Sequence, residues 1–127
     1  MVAGRIVGLG IDLVDIDRFR AVLERRPAMR ARLFTPDELA YADTHKNPAP
    51  SLAARFAVKE AVMKALSVGI GAIDWTDVSI RRESSGAPAV ELRGRAAELA
   101  GQMGITDWQV SITHTDTAAM ATVIAST

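Results

Sequence analysis

Apolar and polar positions alternate along parts of this chain and recur at helical spacing along others, a pattern that predicts a mixed protein of short helices and strands. Arg5 to Val14 (RIVGLGIDLV) is aliphatic on both faces and rich in β-branched residues, which predicts a buried strand. Ile16, Phe19, Val22 and Leu23 then give a helical face, with Asp15 or Asp17 able to cap it and Pro27 interrupting it. Thr35-Pro36-Asp37-Glu38 has the form of a capping box, which gives Glu38 a structural task in a short helix to about Thr44. His45 to Pro50 reads as a loop, and Ser51 can cap the next helix. Leu52, Phe56, Met63 and Leu66 make one stripe of a long central helix from about Leu52 to Leu66.

Beyond that helix, Ser67-Val68-Gly69-Ile70-Gly71 is a glycine-rich stop. Trp75–Arg82 and Ala89–Arg93 flank the turn Ser84-Ser85-Gly86 and predict a hairpin. Arg95 to Met103 predicts an amphipathic helix that stops at Gly104. Trp108 to His114 alternates, with Trp108, Val110 and Ile112 on one face, and Ala118 to Ala125 is a last strand of small residues.

The 127 residues fit one domain, 1–127, with 49% hydrophobic residues to build its core. The 15 basic residues balance the 15 acidic ones, which argues against a surface coated for nucleic acid while allowing a local basic patch. There is no cysteine, so disulfides, thiolate metal sites and cysteine nucleophiles are excluded. No apolar run approaches the roughly 20 residues that cross a bilayer, and no signal segment is recognisable. The expectation is a soluble cytoplasmic protein without internal repeats or linkers.

Candidate chemistry clusters at a few places. Gly8 and Gly10 share one strand face and let a backbone or ligand come close. Gly8-x-Gly10 lacks the third glycine of a dinucleotide fingerprint. Asp12 follows on a buried strand, where an acid needs a metal ion, a helix N-terminus or a basic side chain. On the central helix Glu60 and Lys64 share a face and read either as a solvated ion pair or as a paired acid and amine at a site; Lys59 points elsewhere. Arg18, Arg20, Arg25, Arg26, Arg30 and Arg32 make a basic stretch, either a solvated face or a dock for an acidic partner. Gly69 and Gly71 can wrap a phosphate or a thin ligand arm, or simply end the helix. His45 and Lys46 can reach a phosphate or merely be exposed, and His114 stands at a strand end.

The order Gly8-x-Gly10-Ile11-Asp12, Phe34-Thr35-x-x-Glu38, Arg55-Phe56-Ala57-x-Lys59-Glu60-Ala61-x-x-Lys64, Gly86-x-Pro88 and Val110-Ser111-x-Thr113-His114 spans nearly the whole chain. It resembles the holo-[acyl-carrier-protein] synthases, the small bacterial class of 4′-phosphopantetheinyl transferases. The resemblance implies an α+β fold, with an antiparallel sheet packed against a long central helix. It implies transfer of the phosphopantetheine arm of coenzyme A to a serine of an acyl carrier protein, with adenosine 3′,5′-bisphosphate released. By the same resemblance Asp12 and Glu60 are Mg²⁺ ligands and Lys64 serves the departing phosphate. Glu60, or a metal-bound water beside Asp12, takes the serine proton. Arg55 and His114 are implied to bind the nucleotide phosphates, Gly69 and Gly71 to line the diphosphate and arm, Pro88 to lie near the adenine, and Lys46 to assist. Arg18, Arg25 and Arg26 are implied to dock the carrier, and the family implies a homotrimer with sites between subunits. The central helix would then be a ruler for metal, diphosphate and nucleotide. Two departures from the family pattern stand out: Ser67 replaces a common glycine, and Asp116 follows His114 one place later than the usual acid. A non-catalytic coenzyme A-binding module and a metal-dependent phosphohydrolase are the competing readings.

Overall fold

A computed structural model describes residues 4–127. The chain runs β1 (Ile6–Asp15), α1 (Ile16–Arg25), α2 (Met29–Leu33), α3 (Pro36–Ala42), α4 (Ala49–Ala65), β2 (Val78–Arg82), β3 (Pro88–Leu92), α5 (Gly94–Gln102), β4 (Asp107–His114) and β5 (Ala118–Ser126). The strands form an antiparallel sheet in the order β1-β5-β4 and a separate β2-β3 hairpin. The fold is α+β, with α4 packed on the three-stranded sheet.

Small residues set how closely α4 approaches. Ala119, Ala121, Val123 and Ala125 of β5 are wholly buried. Gly10 faces the carbonyl of Ala61, and Gly8 that of Ala65, so closely that a β-carbon at either glycine would overlap the helix backbone. The strand register puts Gly10 beside Val123 and Asp12 beside Ala121. Gly8, Gly10, Asp12 and Val14 therefore share the helix-facing side of β1.

The opposite side of β1 corrects the expectation of a strand buried on both faces. Leu9, Ile11 and Leu13 are 64%, 52% and 66% exposed. A single helix covers one face of the sheet, and these side chains lie on the other. The central helix also begins earlier than its apolar stripe implied. Ala49 is its first residue, behind Pro48, and Ser51 lies inside the first turn, accepting a bond from Arg55 instead of capping. Trp75–Asp77 is a single turn of 3₁₀ helix, so the hairpin strand starts only at Val78.

Asp15 caps α1 through the Arg18 amide, and the Thr35–Glu38 capping box is present in full. Glu38 does more than cap. Its Oε1 accepts the Thr35 amide at 2.9 Å and the Lys59 ammonium at 2.8 Å, and its Oε2 accepts the Ile80 amide at 3.0 Å. Lys59 Nζ also donates to the carbonyls of Trp75 and Val78, so all three of its protons have acceptors. Both side chains are sealed from water, which ties α3, α4 and β2 together at one point. Burial pulls the Lys59 pKa down, and the Glu38 carboxylate opposes it.

Candidate active site

The fixed orientation of Lys59 dictates where the next residue points. Successive positions on a helix are separated by roughly 100°. With Lys59 held inward, Glu60 turns toward a groove of about 770 Å³ between α4, β1 and α1. Asp12, Phe19, Phe56, Trp75 and Glu60 line it, and Arg18, Arg26 and Arg32 stand on its basic side. Phe19 stacks on Phe56 at 4.9 Å, and Phe56 meets Trp75 at 5.0 Å, so an aromatic row forms its floor.

Lys64 does not make the simple i,i+4 pair with Glu60 that the spacing allowed. Its ammonium donates to the Ile11 carbonyl at 2.8 Å and to Asp12 Oδ1 at 3.3 Å. The β1 carboxylate competes successfully because the close glycine contact brings this part of the strand beside the helix, three residues short of the strand end that the sequence suggested. Glu60 is partly buried and keeps its proton to higher pH than an ordinary carboxyl. Desolvation is the main cause, the nearby Asp12 charge adds to it, and Lys64 offsets part. Two carboxylates whose charges oppose each other, beside an ammonium, suit a hard divalent cation that accepts oxygen ligands and retains waters. Among the described residues no third His, Asp or Glu joins them in a metal-ligand cluster.

A second cavity, of about 540 Å³, opens elsewhere on α4. Arg55, Arg82, His45 and His114 line it with Tyr41 and Pro88. Arg55 is only 7% exposed, and its Nη1 donates to Ser51 Oγ at 2.8 Å. Its Nε is buried without a hydrogen-bond partner. Burial lowers the guanidinium pKa; Glu38 and Tyr41 oppose this, and Arg82 adds to it.

The structure thus brings Asp12, Glu60 and Lys64 together, and separately Arg55, His114 and Pro88. Arg55 and Glu60 stand five positions apart on α4, so they point roughly 140° away from each other. Within one chain the helix divides the two cavities instead of aligning them along one edge. Gly69, Gly71, Lys46 and Arg25 line neither cavity, though Ile70 and His45 do. Helix phase does not separate them, since Arg25 stands seven residues from Arg18 and nearly in phase with it, whereas Arg26 lies just past the end of α1. Sequence reasoning placed Arg32 only in the general basic stretch, and missed Tyr41 and Arg82 as lining residues. For Arg82 a signal existed, because Val78, Ile80 and Arg82 share one face of β2.

The model of the 4′-phosphopantetheinyl transferase superfamily matches residues 8–122. The holo-[acyl-carrier-protein] synthase of Moorella thermoacetica is 48% identical over 105 residues, covering 83% of this chain and 82% of that protein. The acyl carrier protein synthase of Plasmodium yoelii, solved with ADP bound, superposes with a TM-score of 0.90 at 28% identity, covering 98% of each chain. The holo-(acyl-carrier-protein) synthase of Bacillus anthracis, solved in complex with CoA (3′,5′-ADP), superposes with a TM-score of 0.79 at 29% identity, covering 96% of this chain and 97% of that one. The chain belongs to the 4′-phosphopantetheinyl transferase superfamily, among the holo-[acyl-carrier-protein] synthases, and is a phosphopantetheinyl transferase enzyme.

Proposed function

We propose that the enzyme transfers 4′-phosphopantetheine from coenzyme A to a serine hydroxyl of an apo acyl carrier protein, releasing adenosine 3′,5′-bisphosphate. The observation that carries this reading is the meeting of Asp12, Glu60 and Lys64 at the end of an aromatic-floored groove with arginines on its rim. Relatives named for this reaction, and a related structure holding coenzyme A, support it.

Asp12 and Glu60 would hold Mg²⁺, which supplies charge stabilisation at the coenzyme A diphosphate. The chain's own side chains account for the remaining work. Lys64, tethered to the Ile11 carbonyl, places an ammonium where charge builds on the departing phosphate. Glu60 has a carboxyl of raised proton affinity and is one candidate to accept the serine proton; a water held beside Asp12 is the other. Arg18, Arg26 and Arg32 give the acidic carrier a positive rim, while Phe19, Val22 and Met29 offer apolar contact beside it. Arg55 and His114 take the nucleotide phosphates, with Pro88 beside the base.

The division of the cavities by α4 supports a homotrimer in which one copy's nucleotide cavity serves the next copy's carboxylates. The exposed Leu9, Ile11 and Leu13 offer an apolar face for that assembly. The deciding experiment incubates the protein with coenzyme A, Mg²⁺ and a panel of apo carrier proteins and follows carrier mass. A gain of one phosphopantetheine that requires Mg²⁺ is expected. Coenzyme A breakdown at a rate indifferent to carrier would instead mark a hydrolase, and binding without turnover a sensor.

A further inference from the structure

Among the described residues the outer edge of β2 has no strand beside it, yet its backbone is not left open. On the inner side the Asp77 carbonyl accepts from the Arg93 amide, and the Glu83 amide donates to the Ala87 carbonyl. Peptide groups alternate in direction along a strand, so those of Val78 and Ile80 point away from β3. There the Ile80 amide donates to Glu38 Oε2 at 3.0 Å, and the Val78 carbonyl accepts from Lys59 Nζ. A carboxylate thus stands where a neighbouring strand would offer a carbonyl, and an ammonium where it would offer an amide. Both side chains are buried, so water does not compete for this edge.

The same pair stands behind both cavities. Lys59 directly precedes Glu60 on α4. Its ammonium also donates at 3.1 Å to the carbonyl of Trp75, the residue whose ring lies on the floor of the carboxylate groove. On the other side, Ile80 lines the second cavity with Tyr41, which follows Glu38 on α3, and with Pro88 of the hairpin. Burying two charges is costly, and an apolar pair of similar bulk is often as stable. Such a pair would fill the space but leave the β2 edge without partners. The directional bonds to β2 are what the charged pair adds.

We infer that Glu38 and Lys59 act as a substitute strand for β2 and are positioning residues for the transfer reaction, holding the 3₁₀ turn and the hairpin in register with Glu60. This rests on the transferase reading and adds to it a requirement that lies outside both cavities.

The test follows the full chain by amide hydrogen exchange and by steady-state transfer. Glu38→Gln keeps an oxygen for the Thr35 amide and the Lys59 ammonium but turns an NH2 group toward the Ile80 amide. Exchange at Ile80 and its β2 neighbours should quicken about tenfold or more, with α4 little changed. The KM for coenzyme A, whose site the hairpin helps to form, should rise about tenfold while the KM for carrier stays within about twofold of wild type. The double variant Glu38→Met with Lys59→Met, which leaves no uncompensated charge to unfold the chain, should show the same local signature. A merely structural pair predicts otherwise: a smaller folded fraction lowers kcat, leaves every KM in place and quickens exchange throughout. That pattern would overturn the inference, as would wild-type hairpin exchange and wild-type KM values in the double variant. A wild type that transfers to no carrier would bring down the transferase reading and the positioning role with it, while hairpin exchange would still judge the substitute strand.

Discussion

Two lysines on α4, Lys59 and Lys64, each sit near a carboxylate from a distant part of the chain, yet they live in opposite conditions. Lys59 has no exposed surface, and its partner Glu38 is spoken for by two backbone amides besides. Lys64 is 53% exposed at its side chain, and it meets Asp12 at 3.3 Å while Glu60 stands by with its own charge. The first pair is saturated, so nothing from outside can enter it. The second has two acids for one amine and open space beside it. Residue types alone do not separate an anchor from a site; the tally of unmet partners does.

The sharpest way to break this contrast is to remove the anchor. Lys59→Met leaves the Glu38 carboxylate buried without its cation, and the fold should lose about 3–5 kcal/mol, read from urea unfolding midpoints. A loss under about 1 kcal/mol would show that water reaches Glu38 and that the seal is not real. At the open end, Glu60→Gln should cut Mg²⁺-dependent transfer by about 100-fold or more, while circular dichroism stays native. Wild-type turnover at saturating Mg²⁺ would remove Glu60 from the site.

The same substitution has a second, smaller signature. The folded Glu60 carboxyl titrates above its unfolded counterpart, so between the two the native state binds more protons than the unfolded one. Stability without divalent metal should therefore fall as pH climbs through that window, and remain lower above it. Glu60→Gln should flatten this dependence and, above the window, raise the metal-free unfolding free energy by less than about 1 kcal/mol, given the solvent at this partly exposed position, with a matching rise in melting temperature. A decrease would mean that ionised Glu60 stabilises the fold.

Arg18→Glu tests whether the open end reaches the carrier. The KM for carrier protein should rise about tenfold and the effect should shrink in high salt, with coenzyme A binding little changed. Equal weakening of both substrates would place Arg18 elsewhere. The smallest effect belongs to the end of α4, where Ser67 adopts the left-handed conformation at φ 59°. Ser67→Gly should stabilise the chain by about 0.5–1 kcal/mol, because glycine enters that region without a side-chain penalty. Thermal melting would reveal it, and a destabilisation would mean that the serine side chain contributes a contact that outweighs the strain.

Local signals in the sequence were easy to read. The Thr35–Glu38 box and the Asp15 cap each depend on neighbours three residues away, and each is found as expected. Asp12, Glu60 and Lys64 were found as a group because their order matched a family pattern. What stayed hidden depends on which surfaces meet. The sequence cannot say that Lys59 reaches back to Glu38, or that only one side of β1 is covered. The five-residue spacing already turns Arg55 and Glu60 roughly 140° apart, but which elements close around each side is a matter of tertiary packing, and the single chain has two cavities there. Tyr41 became legible only when α3, α4 and β2 closed around it.

The contact between Gly10 and the Ala61 carbonyl has a consequence for precision. Gly10 lies two residues before Asp12 on the same strand face, and Ala61 directly follows Glu60. The gauge that spaces the two acids is therefore main chain resting on main chain, with no rotamer between them to give way. Side-chain contacts can be retuned one carbon at a time; this one has no finer setting. The two acids inherit a tolerance fixed by the peptide unit itself, and the chemistry around them can be adjusted far more freely than the distance between them.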